Sequence, residues 1–293
     1  MTPQNQDAAA QPLKAAAWVS GAILAFTSMS IAGRALQYDF DTFEIMMYRS
    51  FIGLPIVLIF AAYFGTLNQI NTDRLGTHAL RNIFHFSGQN LWFYAITVAP
   101  LAQVIALEFT SPLWVTLLAP LLLGERLTLT RGAAAALGFA GILVVTRPTA
   151  DSVSIGLIAA AFAAVGFAGS IIFTKRLTRT ASITCILFYL TLMQAVFGLV
   201  LAGWDGQIAT PSVVTAPWII LVGCAGLIAH FCLTTALSFA PAVIVIPFDF
   251  ARLPLIAVVG MVLYGEPLEF AVMVGAVMIF AANYLNIWAE RPK

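Results

Sequence analysis

Charged residues are scarce in this chain of 293 residues. Only 9% of the residues are charged and 61% are hydrophobic, whereas a soluble globular chain is about 25% charged and about 45–50% apolar. The mean hydropathy is correspondingly high, at +0.94. So few charges could not cover the surface of a water-soluble protein, and the composition therefore excludes a soluble domain.

Paired cysteines and a strong net charge are also lacking. The three cysteines, Cys185, Cys224 and Cys232, show no paired spacing, which excludes a disulfide scaffold. The formal net charge is +1 and no basic stripe is present, so a nucleic-acid partner is excluded. Residues 1–12 contain no Lys or Arg, so we expect no cleaved signal peptide.

Long apolar runs dominate what remains. A membrane-spanning helix needs about 20 mostly apolar residues. Ten segments meet this requirement: 15–36, 43–64, 76–97, 101–122, 129–146, 153–174, 182–202, 214–236, 242–264 and 268–288. The sequence therefore predicts an all-α polytopic membrane protein with ten transmembrane helices, embedded in a lipid bilayer. Tails of residues 1–14 and 289–293 would flank the helices.

The distribution of Lys and Arg predicts the orientation. With the N-terminus inside, the cytoplasmic loops and tails receive most of the basic residues: Lys14, Arg74, Arg81, Arg126, Arg131, Lys175, Arg176, Arg179, Arg291 and Lys293. The outer side receives only Arg34 and Arg147. Because cytoplasmic loops carry an excess of basic residues, we expect both termini to lie in the cytoplasm.

An internal repeat relates the two halves of the chain. Residues 99–127 match residues 240–268 without a gap, at an offset of 141 positions. Each half would contain five crossings, and an odd number inserts the second copy upside down. We expect repeats over residues 15–147 and 153–288, joined by a loop at 148–152. Inverted repeats are typical of secondary transporters, which open a shared midplane site to either side in turn.

These matching segments resemble the drug/metabolite transporter superfamily, in particular its EamA-type branch. The resemblance lies in the turns Ala99-Pro100 and Ala240-Pro241 and in the helix ends at Gly124-Glu125 and Gly265-Glu266. Within this branch the chain looks most like amino-acid exporters of the YddG type. The resemblance implies ten helices arranged as five plus five, cytoplasmic termini and export of small metabolites such as amino acids, some of them aromatic.

Polar residues inside the predicted spans are candidates for the transport path, because such residues are costly in a membrane. In the third span, a stripe at helical spacing includes His85, Gln89 and Trp92, together with His78 and Asn82. The stripe could line a substrate cavity or form hydrogen bonds between helices. His230 in the eighth span could likewise contact substrate or a neighbouring backbone.

Acids in the fourth and ninth spans form a second group of candidates. Glu108 shares a helix face with Ser111, and Asp249 shares a face with Arg252. Asp249 and Arg252 could form a structural ion pair or bind the charged ends of a zwitterion. Because Glu108 has only Ser111 nearby in sequence, we expect Glu108 to meet a substrate ammonium group or a proton and Asp249 to be held structurally.

The turns Pro100 and Pro241 and the helix-end acids Glu125 and Glu266 are expected to act as structural turns or gates. No metal site or cofactor is expected, since no histidine has a second ligand at helical spacing. No ATP-binding or hydrolase motif is found. The sequence thus predicts a transporter, not an enzyme, acting as a monomer or weak oligomer on a small-molecule substrate in a bacterial inner membrane. An exporter or exchanger of other metabolites or drugs, or a channel subunit, is the alternative.

Overall fold

The computed structural model describes residues 11–123, 128–147, 154–239, 245 and 248–289. Within these residues the regular structure is entirely helical. The α-helices are α1 (Pro12–Ala35), α2 (Thr42–Tyr63), α3 (Leu75–Val98), α4 (Leu101–Glu108), α5 (Ser111–Leu123), α6 (Leu129–Thr146), α7 (Ile155–Leu177), α8 (Ile183–Ala202), α9 (Ala216–Phe239), α10 (Arg252–Tyr264) and α11 (Phe270–Ala289). A short 3₁₀-helix, Leu67–Gln69, follows α2.

Seven spans in the described part of the chain are long and apolar enough to cross a membrane. They comprise α1, α2, α6, α7, α8, most of α9, and α4 together with the first half of α5. Helix α10 and residues Phe270–Leu285 of α11 are shorter apolar helices. Helix α3 has 24 residues but carries many polar side chains. The chain is therefore a polytopic helical membrane protein.

The fourth predicted crossing, 101–122, corresponds to an apolar span over Leu101–Leu118 that is divided into two helices. Helix α4 ends at Glu108, and α5 begins at Ser111 after a two-residue turn. The cause is Pro112, since a proline ring clashes with the carbonyl group four residues earlier. The hydroxyl groups of Thr110 and Ser111 donate to the carbonyl oxygens of Leu107 and Glu108, both at 2.6 Å.

A matching break lies in the second half of the chain. Residues 248 and 249 are helical, Phe250 and Ala251 form a turn, and α10 begins at Arg252. Pro254 follows this turn by three residues, one position further along than Pro112 follows the turn in the first half. The two breaks are separated by the 141-residue offset of the sequence repeat. Each places an acid, Glu108 or Asp249, at the last helical position before the turn.

The two largest helix contacts are related by the internal repeat. The offset relates α1 to α7 and α3 to α9, and the main contacts are α3 with α7 and α1 with α9. Two further large contacts join corresponding helices, α2 with α8 and α6 with α11. Helix α4 also contacts α10, which corresponds to α5. Helices α6 and α11 approach so closely that a Cβ atom on Gly141 would lie 2.9 Å from the carbonyl oxygen of Gly275. The broken helices α4 and α10 thus meet each other inside the bundle.

Candidate functional site

A charged cluster occupies the place where the two helix breaks meet. The Nη2 atom of Arg252 lies 2.9 Å from Oε1 of Glu108 and 3.5 Å from Oδ2 of Asp249. The indole Nε1 of Trp92 donates to the other Glu108 oxygen at 2.8 Å. Arg252 is buried, with 4% of its side chain exposed, whereas 18% of Glu108 and 15% of Asp249 is exposed. Two acids from different halves therefore share one buried guanidinium group.

This arrangement corrects the expected roles of the two acids. Glu108 is not the free acid, because Arg252 and Trp92 hold both of its carboxylate oxygens. Asp249 is held less closely, and its Oδ1 is buried without a hydrogen-bond partner in the described structure. The hydroxyl group of Ser111 bonds to the main chain of Glu108, not to its carboxylate. The reason is that the decisive partner of Glu108 comes from a position 144 residues away.

Aromatic rings enclose the Arg252 guanidinium group. Its Cζ atom lies 4.7 Å from the centroid of Phe26 and 4.8 Å from that of Phe109. Such cation–π contacts stabilise a cation that has left water. Phe109 also stacks on Phe250, its equivalent in the other half, with 4.3 Å between the ring centroids. The charged cluster therefore packs against the stacked rings of Phe109 and Phe250, one from each repeat.

Backbone dipoles oppose the charges of this cluster. Glu108 stands at the C-terminal end of α4, and Arg252 is the first residue of α10. Helix C-termini disfavour negative charge and helix N-termini disfavour positive charge. Each charge is thus poorly placed on its own helix, and the ion pair between α4 and α10 offsets both costs.

A second polar cluster surrounds Arg49. Its Nη1 donates to Oε1 of Gln89 at 2.6 Å, and its guanidinium group lies flat against α9 at Gly226. A Cβ atom on Gly226 would lie only 2.7 Å from Nη2 of Arg49. The rings of His85 and His230 are 6.2 Å apart, and Ser170 lies 3.4 Å from Nδ1 of His85. This cluster joins helices from both halves.

A cavity of about 320 Å³ opens beside Arg49, between α2, α8 and α9. Its polar lining consists of Arg49, Ser50, Thr191, Gln194, His230 and Thr235. Leucine, isoleucine, glycine and phenylalanine form the rest of the lining that the structure describes, and no carboxylate is among these described residues. The Nε2 atom of Gln194 is buried without a partner in the described structure. The cavity is therefore apolar with a few hydrogen-bond donors, as small-molecule sites are.

Phe26 connects the cavity with the charged cluster. Its ring meets His230 edge-on, with centroids 5.7 Å apart, and also covers Arg252. The side chains that border the cavity and those that hold the two acids are thus one aromatic ring apart. A change at one site can reach the other through this contact.

The stripe on α3 is divided between three environments. His78 and Asn82 pack on α8, where the His78 ring lies 4.6 Å from the Tyr189 ring and Asn82 donates to the Tyr189 carbonyl oxygen at 3.2 Å. His85 and Gln89 belong to the Arg49 cluster, and Trp92 belongs to the charged cluster. Arg49 and its cavity were not predicted from the sequence, because residue spacing gives no sign of the partners Gln89 and Gly226.

A third set of contacts joins Arg34 at the end of α1, the turn between α3 and α4, and Glu266 after α10. Arg34 forms an ion pair with Glu266 and donates to the carbonyl oxygens of Ile96 and, at 2.6 Å, Ala99. The second carboxylate oxygen of Glu266 accepts from the amide of Leu101 at 2.9 Å. We call this arrangement the Arg34–Glu266 latch. It holds the turn at Pro100 between the halves; the corresponding turn at Pro241 and the acid Glu125 lie outside the described residues.

Groups of three His, Cys, Asp or Glu side chains that could hold a metal ion are not found among the described residues. Polar clusters at broken helices inside an apolar bundle, together with a cavity between two matching halves, define a membrane transport protein. The sequence profile of the EamA-like transporter family matches residues 13–147 and again residues 154–288. The chain belongs to this family, and it is a multi-pass protein of the bacterial inner membrane.

Characterised relatives resemble the chain over nearly its whole length. A riboflavin transporter of Vibrio cholerae is 28% identical over 286 residues, which cover 96% of this chain and 95% of the relative. A riboflavin transporter of Brucella anthropi is 31% identical over 82% of this chain and 85% of its own. An S-adenosylmethionine uptake transporter of Rickettsia prowazekii is 26% identical over 97% and 96%. These names give no support to the amino-acid export that the sequence analysis expected.

A crystal structure with 17% sequence identity shares the fold. It superposes with a TM-score of 0.64, covering 94% of this chain and 96% of that chain. The architecture described above is therefore shared with a solved protein, although identity at this level carries no information about the substrate.

Proposed function

We propose that this protein is a secondary transporter that takes up riboflavin, or a closely similar neutral heterocycle, across the inner membrane. The observation that carries the proposal is the chemistry of the cavity beside Arg49. Its lining offers the Arg49 guanidinium and the Gln194 amide as donors but contains no carboxylate. The proposed direction, uptake, is that of the S-adenosylmethionine uptake transporters among the relatives.

The lining distinguishes between the two substrates that the relatives' names suggest. The riboflavin ring is uncharged, and its carbonyl oxygen O4 and ring nitrogen N5 are neighbouring acceptors on one edge, which suit the Nε and Nη2 donors of Arg49. S-Adenosylmethionine carries a sulfonium cation, which a cavity with an arginine and no acid would repel. Arg49 has no hydrogen-bond partner for these two nitrogens in the described structure, so both can serve a substrate.

We further propose ten crossings in two inverted five-helix repeats. Helices α4 and α5 together would form the fourth crossing, and α10 would belong to the ninth. With both termini in the cytoplasm, the Arg34–Glu266 latch lies at the outer face. The cavity extends from Arg49 near the middle towards Ile183 and Thr235 near the inner face. The described conformation then faces inward, and alternating access requires the latch to open.

Counterflow in proteoliposomes tests the substrate. Vesicles loaded with unlabelled riboflavin should take up labelled riboflavin transiently and with saturation, because a carrier exchanges its substrate across the membrane. Unlabelled riboflavin outside should compete, whereas S-adenosylmethionine, phenylalanine and tryptophan should not. Competition by an amino acid but not by riboflavin would restore the amino-acid hypothesis, and unsaturable flux would indicate a pore.

Cysteine labelling tests the topology. In a variant lacking Cys185, Cys224 and Cys232, single cysteines in residues 66–74 and 175–180 should resist a membrane-impermeant maleimide in intact cells. A cysteine in residues 203–212 should react, because the excess of basic residues keeps the other two loops inside. Permeabilised cells provide the control, in which all three positions should react. External labelling of the 175–180 loop would refute the proposed orientation.

A further inference from the structure

The charged cluster at the helix breaks carries one more acid than base. Glu108 and Asp249 supply two negative charges and Arg252 one positive charge, so the ionised cluster has a net charge of −1. No other cation forms an ion pair with either acid in the described structure. Trp92 contributes a neutral donor. A net negative charge inside a membrane is costly unless water reaches it or a cation, such as a proton, neutralises it.

The geometry indicates which acid lacks a partner. Both oxygens of Glu108 are bonded at normal distances. The Oδ2 atom of Asp249 is 3.5 Å from Arg252, too far for a strong hydrogen bond, and Oδ1 is buried without a partner. If Asp249 were ionised, burying Oδ1 without a partner would cost the desolvation free energy of a charged oxygen. If Asp249 were protonated at Oδ1, the buried group would be neutral and this cost would be smaller.

Few other titratable groups surround Asp249. They are Glu108 from α4, Arg252 from α10 and, beyond Phe26 of α1, His230 from α9. Helix α11 packs Phe280 against Phe250 and has Tyr284 as its only ionisable side chain. Residues 240–247 contain no ionisable side chain in the sequence. The balance of charge at Asp249 is therefore set by one base and one competing acid.

We propose that Asp249 is the proton site of this transporter and that one proton crosses the membrane with each substrate molecule. This inference rests on the proposed transport function. An O–H bond forms at Oδ1 with a proton taken from water on one side and breaks when the proton leaves to water on the other side. No electrons are transferred, and Arg252 and Glu108 remain ionised throughout.

The position of Asp249 connects protonation with the conformation. Asp249 and Arg252 flank the turn at Phe250 and Ala251, so attraction between them acts across the helix break. With Asp249 protonated, Arg252 pairs with Glu108, as in the described geometry. Loss of the proton gives Arg252 a second ionised partner and draws the two sides of the break together. Arg252 also touches Phe26, which meets His230 at the cavity.

Infrared spectroscopy of the purified protein without substrate tests the proton site directly. A protonated carboxyl group has a C=O stretch that an ionised carboxylate lacks. At neutral pH we expect this band in the wild type, its displacement when aspartate is labelled with ¹³C at the side-chain carboxyl, and its loss in Asp249→Asn. The control Asp205→Asn, in an exposed loop, should retain the band. Absence of a labelled band at neutral pH would overturn the proposal, even if Asp249→Asn failed to fold.

Transport measurements test the coupling. An inside-alkaline pH gradient should drive accumulation by the wild type at least tenfold above the level without a gradient, and a protonophore should abolish it. Asp249→Asn should not accumulate substrate, and its counterflow should no longer vary with pH. If substrate accumulation by the wild type did not depend on the pH gradient, coupling between proton and substrate transport would be refuted. Because the infrared band needs no substrate, a wrong substrate assignment and a wrong proton site give different results.

Discussion

Replacing Arg49 with glutamine is expected to weaken riboflavin binding about tenfold to a hundredfold, because a hydrogen bond to a charged group contributes about 1.5–3 kcal/mol. Among the described residues that line the cavity, Arg49 is the only one with a permanent charge. Arg49→Lys should fall between wild type and Arg49→Gln, since lysine keeps the charge but loses the planar arrangement of donors. Counterflow measured over a range of substrate concentrations gives the affinities.

The same site can be disturbed without removing a polar group. In Gly226→Ala the new methyl group would lie 2.7 Å from Nη2 of Arg49, so the guanidinium group must move. We expect substrate affinity to fall while the protein still folds. Gly76→Ala is the matched control, because a Cβ atom at Gly76 has no neighbour within 4 Å. Arg74→Gln, at an exposed position, is the control for lost charge. Unchanged affinity in both Arg49→Gln and Gly226→Ala would remove the cavity from the transport path.

Replacing Glu266 with glutamine is expected to open the outer side of the protein. Removing one partner of a buried ion pair costs about 3–5 kcal/mol, and 84% of the Glu266 side chain is shielded from solvent. If the latch stabilises only the inward-facing state, the equilibrium should shift towards the outward-facing state by roughly a hundredfold to a few thousandfold. A cysteine at Ala102, which lies beside Glu266, should react faster with an external maleimide. The reporter is placed in a variant lacking the three native cysteines.

Two controls separate the latch from a simple surface charge effect. Glu269→Gln removes an exposed pair with Arg147, in which the charged atoms are 3.7 Å apart, and should leave the labelling rate unchanged. Exchanging the charges of Arg34 and Glu266 should not restore closure. Glutamate at position 34 cannot donate to the carbonyl oxygens of Ile96 and Ala99, which accept from Arg34. Restoration by the exchanged pair would show that the ion pair alone forms the closure.

The sequence predicted those features of the fold that depend on local composition or on the internal repeat. Apolar runs predicted most of the helices, and the 141-residue offset anticipated that Phe109 and Phe250 occupy equivalent positions. Pro112 indicates a kinked helix, but the position of the break after Glu108 was not predicted, because a proline near the start of a helix and a proline that interrupts one look alike within an apolar run.

The partners of the charged residues could not be predicted from spacing. Helical periodicity related Asp249 to Arg252, three residues away, but the closer contact of Arg252 is with Glu108 from the other half. Arg34 and Glu266 each resembled a residue at a helix end, and only the folded chain brings them together. Contacts of this kind depend on how helices are arranged, which one sequence without its structure does not specify.

The stack of Phe109 on Phe250 has an evolutionary consequence. Two copies of one ancestral five-helix chain, assembled in opposite orientations, would make the same contact between identical residues. Because its two chains are identical, such a dimer would have the same residue at the positions that correspond to 111 and 252. It would therefore have an arginine at both positions or at neither. Two halves of one chain are free of that restriction. This chain has Ser111 in one half and Arg252 in the other, so two acids share a single base, an arrangement that two identical copies could not form.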